Sequence, residues 1–382
     1  MTATVADVVG VLESLYDPAW AESWDAVGLV CGDPEAAVRR ILFAVDPVES
    51  VVDEAVDAGV DLLVTHHPLY LRGTSSVAAT TPKGRVVHRL VSAGMALHVA
   101  HTNADVAAPG VSDALARALG LGDLQPLQPL AGDPIDKLVV FVPHPDADRL
   151  LDALAAAGAG RLGDYSRCAY LLDGTGTFRP EPGARPAIGS VGRVETVDEV
   201  RLEMVLPRRL RPAVVRALLD VHPYEEPAYD LYELAVPPGR RGLGRVGRLP
   251  HRLSLREFVH VAAEALPATV WGLRAAGEPD RPVTTVAVCG GAGGELAGAA
   301  AAAGADVLLT ADLRHHPASE LYDDTGVALV DAAHWATEWP WLADVAARLR
   351  EGLGAAGITV ETSVSSRVTD PWTLHAPSSG GS

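Results

Sequence analysis

The chain contains an internal repeat, and this repeat limits its possible folds more than any other feature of the sequence. Residues 41–67 read ILFAVDPVESVVDEAVDAGVDLLVTHH, and residues 284–316 read TTVAVCGGAGGELAGAAAAAGADVLLTADLRHH. Each copy is an apolar run, a turn, a helical stretch, and a second apolar run that leads to two adjacent histidines. Such self-similarity indicates one supersecondary unit used twice. We therefore expect two related half-domains.

The repeat also predicts the kind of sheet in each half. The similarity continues between residues 93–105 (AGMALHVAHTNAD) and residues 325–338 (TGVALVDAAHWATE). Short apolar runs that alternate with helical stretches are typical of parallel strands joined by crossover helices. The predicted fold class is therefore α/β, with two related α/β half-domains forming one core. In such sheets ligands gather at the carboxyl ends of the strands.

The segment between the two copies has a different pattern, and its order predicts an inserted α+β domain. The predicted elements are a strand and a helix in 137–158, a strand and a turn in 167–180, a strand and a helix in 200–223, and a strand in 228–234. This β-α-β-β-α-β order is typical of a ferredoxin-like sandwich. Residues 236–247 (VPPGRRGLGRVG) are predicted to be the return linker. The predicted domains are 1–131 for the first half of the core, 132–240 for the insert and 241–382 for the second half.

Composition excludes several functional classes. The formal net charge is −18, which disfavours binding to nucleic acid or to anionic lipid. The three cysteines are far apart and form no CxxC pair, so neither a disulfide framework nor a thiolate metal site is expected. No run of about 18 uncharged apolar residues predicts a membrane span, and the first residues do not resemble a signal peptide. We expect a cytoplasmic protein whose polar tail, residues 376–382, is frayed.

Four short segments carry side chains that suit a metal site. They contain His66 and His67, then His101 and Asp105, then Asp312 with His315 and His316, and finally His334 and Glu338. Imidazole and carboxylate without thiolate suit Zn, Fe, Mn, Co or Ni. His334 and Glu338 are four residues apart and share one face if they lie on a helix. A two-metal site is one interpretation, with His66 and His67 on different ions, Asp105 and His334 completing each set, and Glu338 bridging.

Each of these residues also has a simpler structural interpretation. A lone histidine at a strand end is usually a surface or capping residue. Asp105 fits an N-cap or a turn, and Glu338 fits a solvated helix position. The repeat favours ligation because it brings equivalent strand ends of both halves together. His315 and His316 stay open as remnants of the duplication, as groups that support the ligands, or as candidate acid/base catalysts.

Two further segments have competing interpretations. The glycine-rich CGGAGGEL (289–296) could hold a phosphate at a helix N-terminus, but it lacks the spacing of known phosphate-binding loops. Packing of a tight turn is the preferred interpretation. The segment VHPYEEPAYD (221–230) clusters Glu225, Glu226 and Asp230, which could bind a cation. A rigid, proline-bounded loop at a subunit contact is preferred there.

Taken together, the motifs resemble the NIF-three-like family, whose members are often labelled GTP cyclohydrolase 1 type 2 homologues or dinuclear-metal-centre hexameric proteins. The matching motifs are SWDAVGLVCGD (23–33), LLVTHHPL (62–69), AHTNAD (100–105), LLTADLRHH (308–316) and DAAHWATE (331–338). They span both halves of the chain in the order typical of the family. The central segment is similar to the PII-like insert, related to the CutA fold, of the longer members.

The resemblance implies a function as well as a fold. It implies two divalent metal ions per chain, held by His66, His67, Asp105, His334 and Glu338. It also implies a toroidal homohexamer with these sites facing an inner cavity. The implied activity is hydrolysis of a small molecule such as a nucleotide, including ring-opening of a purine. The alternative is a non-catalytic metal-binding or regulatory hexamer with a ligand-sensing insert.

The chain departs from the family pattern at two places. Asp25-Ala26 stands where members often have Asp-Asn, and Thr310-Ala311-Asp312 stands where they often have Thr-Gly-Asp. Neither departure touches the five implied ligands, so the metal prediction is unaffected. Both are expected near the substrate, so they bear on the implied activity.

Overall fold

The computed structural model of the protein describes residues 2–236 and 238–376, so the end of the tail that we expect to fray, residues 377–382, lies outside the described residues. The strands are β1 (Ala3–Thr4), β2 (Gly28–Cys31), β3 (Ala37–Val38), β4 (Arg40–Ala44), β5 (Leu62–Thr65), β6 (Ala96–Val99), β7 (Gly122–Ala131), β8 (Ile135–Pro143), β9 (Tyr170–Phe178), β10 (Glu195–Pro207), β11 (Tyr229–Glu233), β12 (Pro238–Ser254), β13 (Leu273–Ala276), β14 (Pro282–Ala292), β15 (Val307–Ala311), β16 (Ala328–Ala332) and β17 (Glu361–Val364). The helices are α1 (Val5–Leu15), α2 (Glu49–Asp57), α3 (Pro82–Ser92), α4 (Thr102–Val106), α5 (Val111–Ala118), α6 (Ala147–Ala156), α7 (Arg211–Val221), α8 (Leu255–Ala265), α9 (Ala297–Ala302), α10 (His315–Thr325) and α11 (His334–Ala355).

These elements form two compact units, and their mixture confirms the predicted α/β class. One unit contains Met1–Leu130 and Arg240–Ser382, and the other contains Ala131–Gly239. Among the described helices, none is both long enough and apolar enough to cross a membrane.

The first sheet of the larger unit has the strand order β17-β4-β5-β6-β2. Its first four strands are parallel, and β2 runs antiparallel to β6. The side chains of β4 alternate between two cores: Ile41 and Phe43 face α1 and α11, whereas Leu42 and Ala44 face α2 and α3. Burial on both faces explains why these strands have nearly continuous apolar sequences.

The second sheet of the same unit has the order β13-β16-β15-β14-β12-β7. Its centre is the parallel trio β14, β15 and β16, with β12 antiparallel to β14 and β13 antiparallel to β16. Helix α11 contacts both β4 of the first sheet and β14 of the second. This helix therefore brings its first turns next to the carboxyl ends of strands from both sheets.

The prediction that residues 236–247 form a return linker was wrong for the part of this segment that the structure describes. Residues 238–254 form the long strand β12. The composition suggested a loop, but the glycines serve close strand packing. A Cβ on Gly242 would lie 2.3 Å from the Gln128 carbonyl oxygen, and one on Gly247 would lie 2.8 Å from the Gly122 carbonyl oxygen. Only glycine allows these backbones to approach so closely.

Over its described residues, the smaller unit contains one antiparallel sheet and two main helices. The strand order is β11-β8-β10-β9, and every pairing is antiparallel. Along the chain the elements follow the order β8, α6, β9, β10, α7, β11. A separate apolar core lies between one face of this sheet and helices α6 and α7.

One histidine lies deep in the first sheet without a polar partner. His98 on β6 is 2 % exposed, and neither of its ring nitrogens has a hydrogen-bond partner among the described residues. Burial lowers the pKa of His98 from 6.5 to about 4, because the apolar surroundings penalise the imidazolium form. Unfolding exposes the ring and restores its proton affinity.

This buried histidine predicts a pH dependence of stability. Between pH 6.5 and about 4 the unfolded chain binds a proton at His98 and the folded chain does not, so falling pH lowers the free energy of unfolding. Chemical denaturation at several pH values should show that wild type loses about 3 kcal/mol more than His98→Leu across this window. The other titrating groups contribute equally to the pH dependence of both proteins, so their effects cancel in the comparison. Parallel pH profiles for the two proteins would contradict the prediction.

Candidate metal centre

His66 and His67 follow β5 directly and lie where the first sheet ends. His66 is fully buried, and its Nδ1 lies 3.0 Å from the Ala100 carbonyl oxygen. Because a carbonyl can only accept, Nδ1 carries the proton and donates it. In the neutral ring, Nε2 then has a free lone pair. This Nε2 is buried and has no hydrogen-bond partner among the residues that the structure describes.

Three more histidines have the same arrangement, with Nδ1 held by a carboxylate. The partners are Asp46 Oδ1 for His67 at 2.7 Å, Asp312 Oδ2 for His334 at 2.7 Å, and Asp25 Oδ1 for His101 at 2.9 Å. Metal-binding histidines typically donate their second ring N–H to a carboxylate or a backbone carbonyl, which fixes the ring and its tautomer. All four imidazoles therefore present Nε2 as the atom available for a ligand.

Glu338 lies at the centre of three of these imidazoles. Its Oε1 is 2.9 Å from His334 Nε2 and 3.5 Å from His66 Nε2, and its Oε2 is 3.2 Å from His67 Nε2. Glu338 is 3 % exposed. It lies one turn after His334 on α11, so the predicted common helix face is present. One carboxylate thus reaches histidines from both halves of the chain.

Asp105 and His101 complete the cluster on the side of β6. Asp105 Oδ1 is 3.6 Å from His66 Nε2, and its side chain is 22 % exposed. His101 groups with His66 and His67, and His334 and Glu338 group with His67, as two sets whose ligand atoms lie within 4.8 Å of one another. His67 is common to both sets.

The charges of the cluster are strongly coupled. Burial alone would raise the pKa of Glu338, but the neighbouring imidazoles outweigh it and hold the pKa well below its usual range. Burial alone would lower the pKa of His334, but Glu338 and Asp312 raise it to about 9. The pKa of His67 is likewise raised against burial by Glu338 and Asp46. A buried carboxylate of this kind requires positive charge close to it.

The donor set fits divalent metal ions. Among the described residues, His66 Nε2 and Glu338 Oε2 are buried without hydrogen-bond partners, although buried polar atoms are normally paired. Both are lone-pair donors that converge on the same place. A metal ion is the partner that satisfies several such donors at once.

The glycine-rich turn at the end of β14 lies against this cluster. Gly291 has φ +65°, and a Cβ on it would lie 2.6 Å from Glu338 Oε1 and 3.0 Å from His334 Nε2. Its N–H donates to Thr337 Oγ1 at 2.8 Å, and its carbonyl accepts from Thr310 Oγ1 at 2.7 Å. The turn thus leaves room for the ligand atoms. Helix α9, which follows it, has only six residues.

The two departures from the family pattern flank residues that orient imidazoles. Ala26 follows Asp25, which holds His101, and Ala311 precedes Asp312, which holds His334. Asp312 has φ +58°, an uncommon conformation for a residue other than glycine.

Sequence reasoning missed Asp46 as part of this cluster. It is the second residue after β4, as His67 is the second residue after β5. A search of every polar residue just after a parallel strand would have found it.

His315 and His316, the candidate catalysts, occupy the first turn of α10. Both are exposed, and their rings contact each other at a centroid distance of 5.0 Å. Neither belongs to the groups of described residues that could hold a metal ion. His315 instead lines a cavity of 530 Å³ together with Arg274 and Asp331.

A segment near the C-terminus contributes polar groups near the cluster. The Thr369 hydroxyl hydrogen-bonds to Asp46 Oδ2, while Asp46 Oδ1 holds His67. The next residue, Asp370, is 8 % exposed, and its Oδ2 has no hydrogen-bond partner within the described ranges. Burial and the charges of Asp312 and Asp46 raise the pKa of Asp370.

The sequence profile of Duf34/NIF3 (NGG1p interacting factor 3) matches residues 3–371 of the chain. The chain belongs to the Duf34/NIF3 family. A Mycobacterium leprae protein named GTP cyclohydrolase 1 type 2 homolog is 50 % identical over 377 residues, which cover 98 % of this chain and 97 % of that protein. A Bacillus subtilis protein of the same name is 40 % identical, covering 86 % of this chain and 87 % of that protein. The crystal structure of a Bacillus cereus protein related to NIF3 is similar with a TM-score of 0.83 at 35 % identity, covering 98 % of this chain and 100 % of that one. The predicted family is therefore confirmed.

The contact between Gly291 and Glu338 predicts the effect of one methyl group. Gly291→Ala should displace Glu338 and His334, because its Cβ would occupy the space of their ligand atoms. We expect roughly tenfold or greater loss of zinc affinity, the size typical for residues that support a metal ligand. Titration of zinc against a chromogenic chelator measures it.

Gly298→Ala is the matched control for this substitution. Gly298 lies within α9, and a Cβ there would meet nothing within 4 Å. Its zinc affinity should equal that of wild type. Equal affinities for Gly291→Ala and Gly298→Ala would show that Gly291 does not shape the site.

Proposed function

We propose that the chain is a dinuclear metal-dependent hydrolase of a small molecule. The observation that supports this most strongly is the set of four histidines whose Nδ1 atoms are fixed by Ala100, Asp46, Asp25 and Asp312. Metal-binding histidines typically have their second ring nitrogen held in this way. The buried carboxylate of Glu338 among them is suited to bind two cations at once.

In the proposed centre, His66 and Asp105 would hold one ion and His67 and His334 would hold the other. Glu338 would be shared between the two ions, because its Oε1 lies near His66 and His334 and its Oε2 lies near His67. The nitrogen and oxygen donors suit Zn, Fe, Mn, Co or Ni. Two divalent ions bound there would supply the chemistry of lowering the pKa of water and polarising an electrophile.

In this proposal the other residues of the cluster orient the imidazoles and bind the substrate. Asp46, Asp25 and Asp312 keep the imidazoles in one tautomer. The Trp341 ring packs edge-on against His66 at a centroid distance of 5.4 Å and closes the apolar side of the site to water. His101 and Asp370 supply hydrogen-bonding groups to the substrate in this proposal, because Asp370 Oδ2 has no protein partner among the described residues.

The proposed substrate class is a purine nucleotide such as GTP. The name of the relatives, GTP cyclohydrolase 1 type 2 homolog, supports this choice. Hydrolytic opening of the imidazole ring of the base would use one water to break the C8–N9 bond and leave a formamide on N7. A second water would cleave that formamide and release C8 as formate, so formate is the product to measure.

We further propose a ferredoxin-like, PII-like identity for the smaller unit and a toroidal homohexamer for the assembly. The order β11-β8-β10-β9 with βαββαβ connectivity supports the ferredoxin-like assignment. The insert would then lie between two α/β halves of common ancestry. The hexamer rests on the family resemblance, and it stays a prediction together with the cytoplasmic location.

The competing function is a metal-binding or regulatory assembly without catalysis. The 940 Å³ cavity within the smaller unit favours it, because a ligand-sensing domain needs such a cavity. Turnover separates the two functions, because only the hydrolase consumes a substrate.

Removal of Glu338 tests the proposed centre. Glu338→Ala should retain one metal ion or none per chain by elemental analysis, because the shared carboxylate is lost. Formate release from GTP should fall by about a hundredfold or more, since several kcal/mol of charge stabilisation disappear. Glu351→Ala, an exposed change on the same helix α11, should keep two ions and full turnover.

The outcomes distinguish the parts of the proposal. Two ions retained in Glu338→Ala would refute the bridging role. Two ions in wild type without formate release would refute the nucleotide hydrolase and favour the regulatory assembly.

A further inference from the structure

The smaller unit contains a cavity that the proposed metal chemistry does not use. Its volume is 940 Å³, within the range of small-molecule sites. It lies where the ends of β8, β9 and β10 meet the segments 179–188 and 224–228, all within the smaller unit. The sheet face that lines it is opposite the face that packs on α6 and α7.

A buried carboxylate forms one wall of the cavity. Glu199 on β10 is 8 % exposed, and its Oε1 accepts a hydrogen bond from the Tyr224 hydroxyl at 2.9 Å. A Cβ on Gly176 of β9 would lie 2.2 Å from Glu199 Oε2, so glycine leaves the space that the carboxylate occupies. Within the described ranges Glu199 forms no ion pair with a basic side chain.

Tyr224 is held in place by a histidine that bridges two parts of the wall. His222 Nδ1 accepts from the Tyr224 backbone N–H at 3.0 Å, and its Nε2 donates to the Phe141 carbonyl at 3.0 Å. Burial and the neighbouring Glu199 raise the pKa of Tyr224, so its hydroxyl keeps the proton that it donates. Glu199 Oε1 thus accepts the Tyr224 hydroxyl, and Oε2 accepts a hydrogen bond from no other described residue.

The lining as a whole carries an excess of acidic residues and several aromatic rings. Its five acidic residues are Asp173, Glu181, Glu199, Glu225 and Glu226, and its two basic residues are Arg179 and Arg201. Both arginines donate Nε to glutamates, Arg179 to Glu181 at 2.8 Å and Arg201 to Glu203 at 2.9 Å. The rings of Phe178 and Tyr224 lie 5.6 Å apart on the same side as Glu199.

We propose that this cavity binds a small organic cation with an aromatic or apolar body. The ammonium or guanidinium group of the ligand pairs with Glu199, and its body packs against Phe178 and Tyr224. A cation satisfies a buried carboxylate whose only donor among the described residues is a hydroxyl, and aromatic faces attract cations. Anions are disfavoured because the lining carries more negative than positive charge. The 940 Å³ volume exceeds what a bare metal ion fills.

Three probes that share a phenyl ring but differ in charge distinguish the effect of ligand charge from the effect of ligand shape on binding. Isothermal titration of the full chain uses phenethylamine as the cation, 2-phenylethanol as the neutral analogue and 3-phenylpropanoate as the anion. Phenethylamine should bind at one site per chain. 2-Phenylethanol should bind roughly tenfold more weakly, because it lacks the charge-assisted hydrogen bond, and the anion should give no heat.

Substitutions locate the binding. Glu199→Gln keeps the shape and removes the charge, and it should weaken phenethylamine binding roughly tenfold or more. Glu226→Gln, an exposed change at the cavity rim, should weaken it by a smaller factor and provides a second test if Glu199→Gln does not fold. Glu233→Gln removes an equal charge from the same unit outside the lining and should bind as wild type does.

Each outcome decides the proposal. Binding ordered as cation, neutral and anion, with loss in Glu199→Gln and none in Glu233→Gln, supports it. Equal binding of the three probes, no binding of phenethylamine, or equal affinities for Glu199→Gln and Glu233→Gln would overturn it. Weakening of phenethylamine in Glu338→Ala with no change in Glu199→Gln would place the amine at the metal centre instead, and this also overturns it.

Discussion

The candidate metal centre of the larger unit depends on one buried carboxylate. Glu338 is 3 % exposed and lies within 3.5 Å of three imidazole nitrogens. An ionised carboxylate away from water is unfavourable unless positive charge lies next to it. Protons on the histidines or divalent ions can supply that charge, and both compete for the same Nε2 atoms. Metal binding at this centre is therefore expected to release protons.

Several features of the fold serve this arrangement. Parallel strands β5 and β6 end together, so His66 and His101 approach one point from neighbouring strands. Helix α11 contacts both sheets and carries Glu338 to that point. The turn at Gly291 leaves the space that the carboxylate occupies, which a methyl group would fill. The proposed centre thus requires both halves of the repeat, since neither half alone supplies the whole donor set.

The sequence predicted some of this and could not predict the rest. Apolar runs that end in histidine revealed the α/β class, and the motif order revealed the family. The role of β12 was not visible, because glycine and arginine are typical of loops, and only a neighbouring strand shows why Gly242 must lack a side chain. Asp46 was missed because a single carboxylate after a strand has no pattern of its own. The cavity around Glu199 depends on how residues 179–188 lie over a sheet, which local sequence does not determine.

Anomalous X-ray diffraction from crystals of the zinc-loaded chain tests the central claim most directly. The account predicts two peaks per chain, about 3.5–4 Å apart, as in other two-metal sites. Each peak should contact a carboxylate oxygen of Glu338, with His66 and Asp105 at one and His67 and His334 at the other. A single peak, or two peaks that do not share Glu338, would contradict the account.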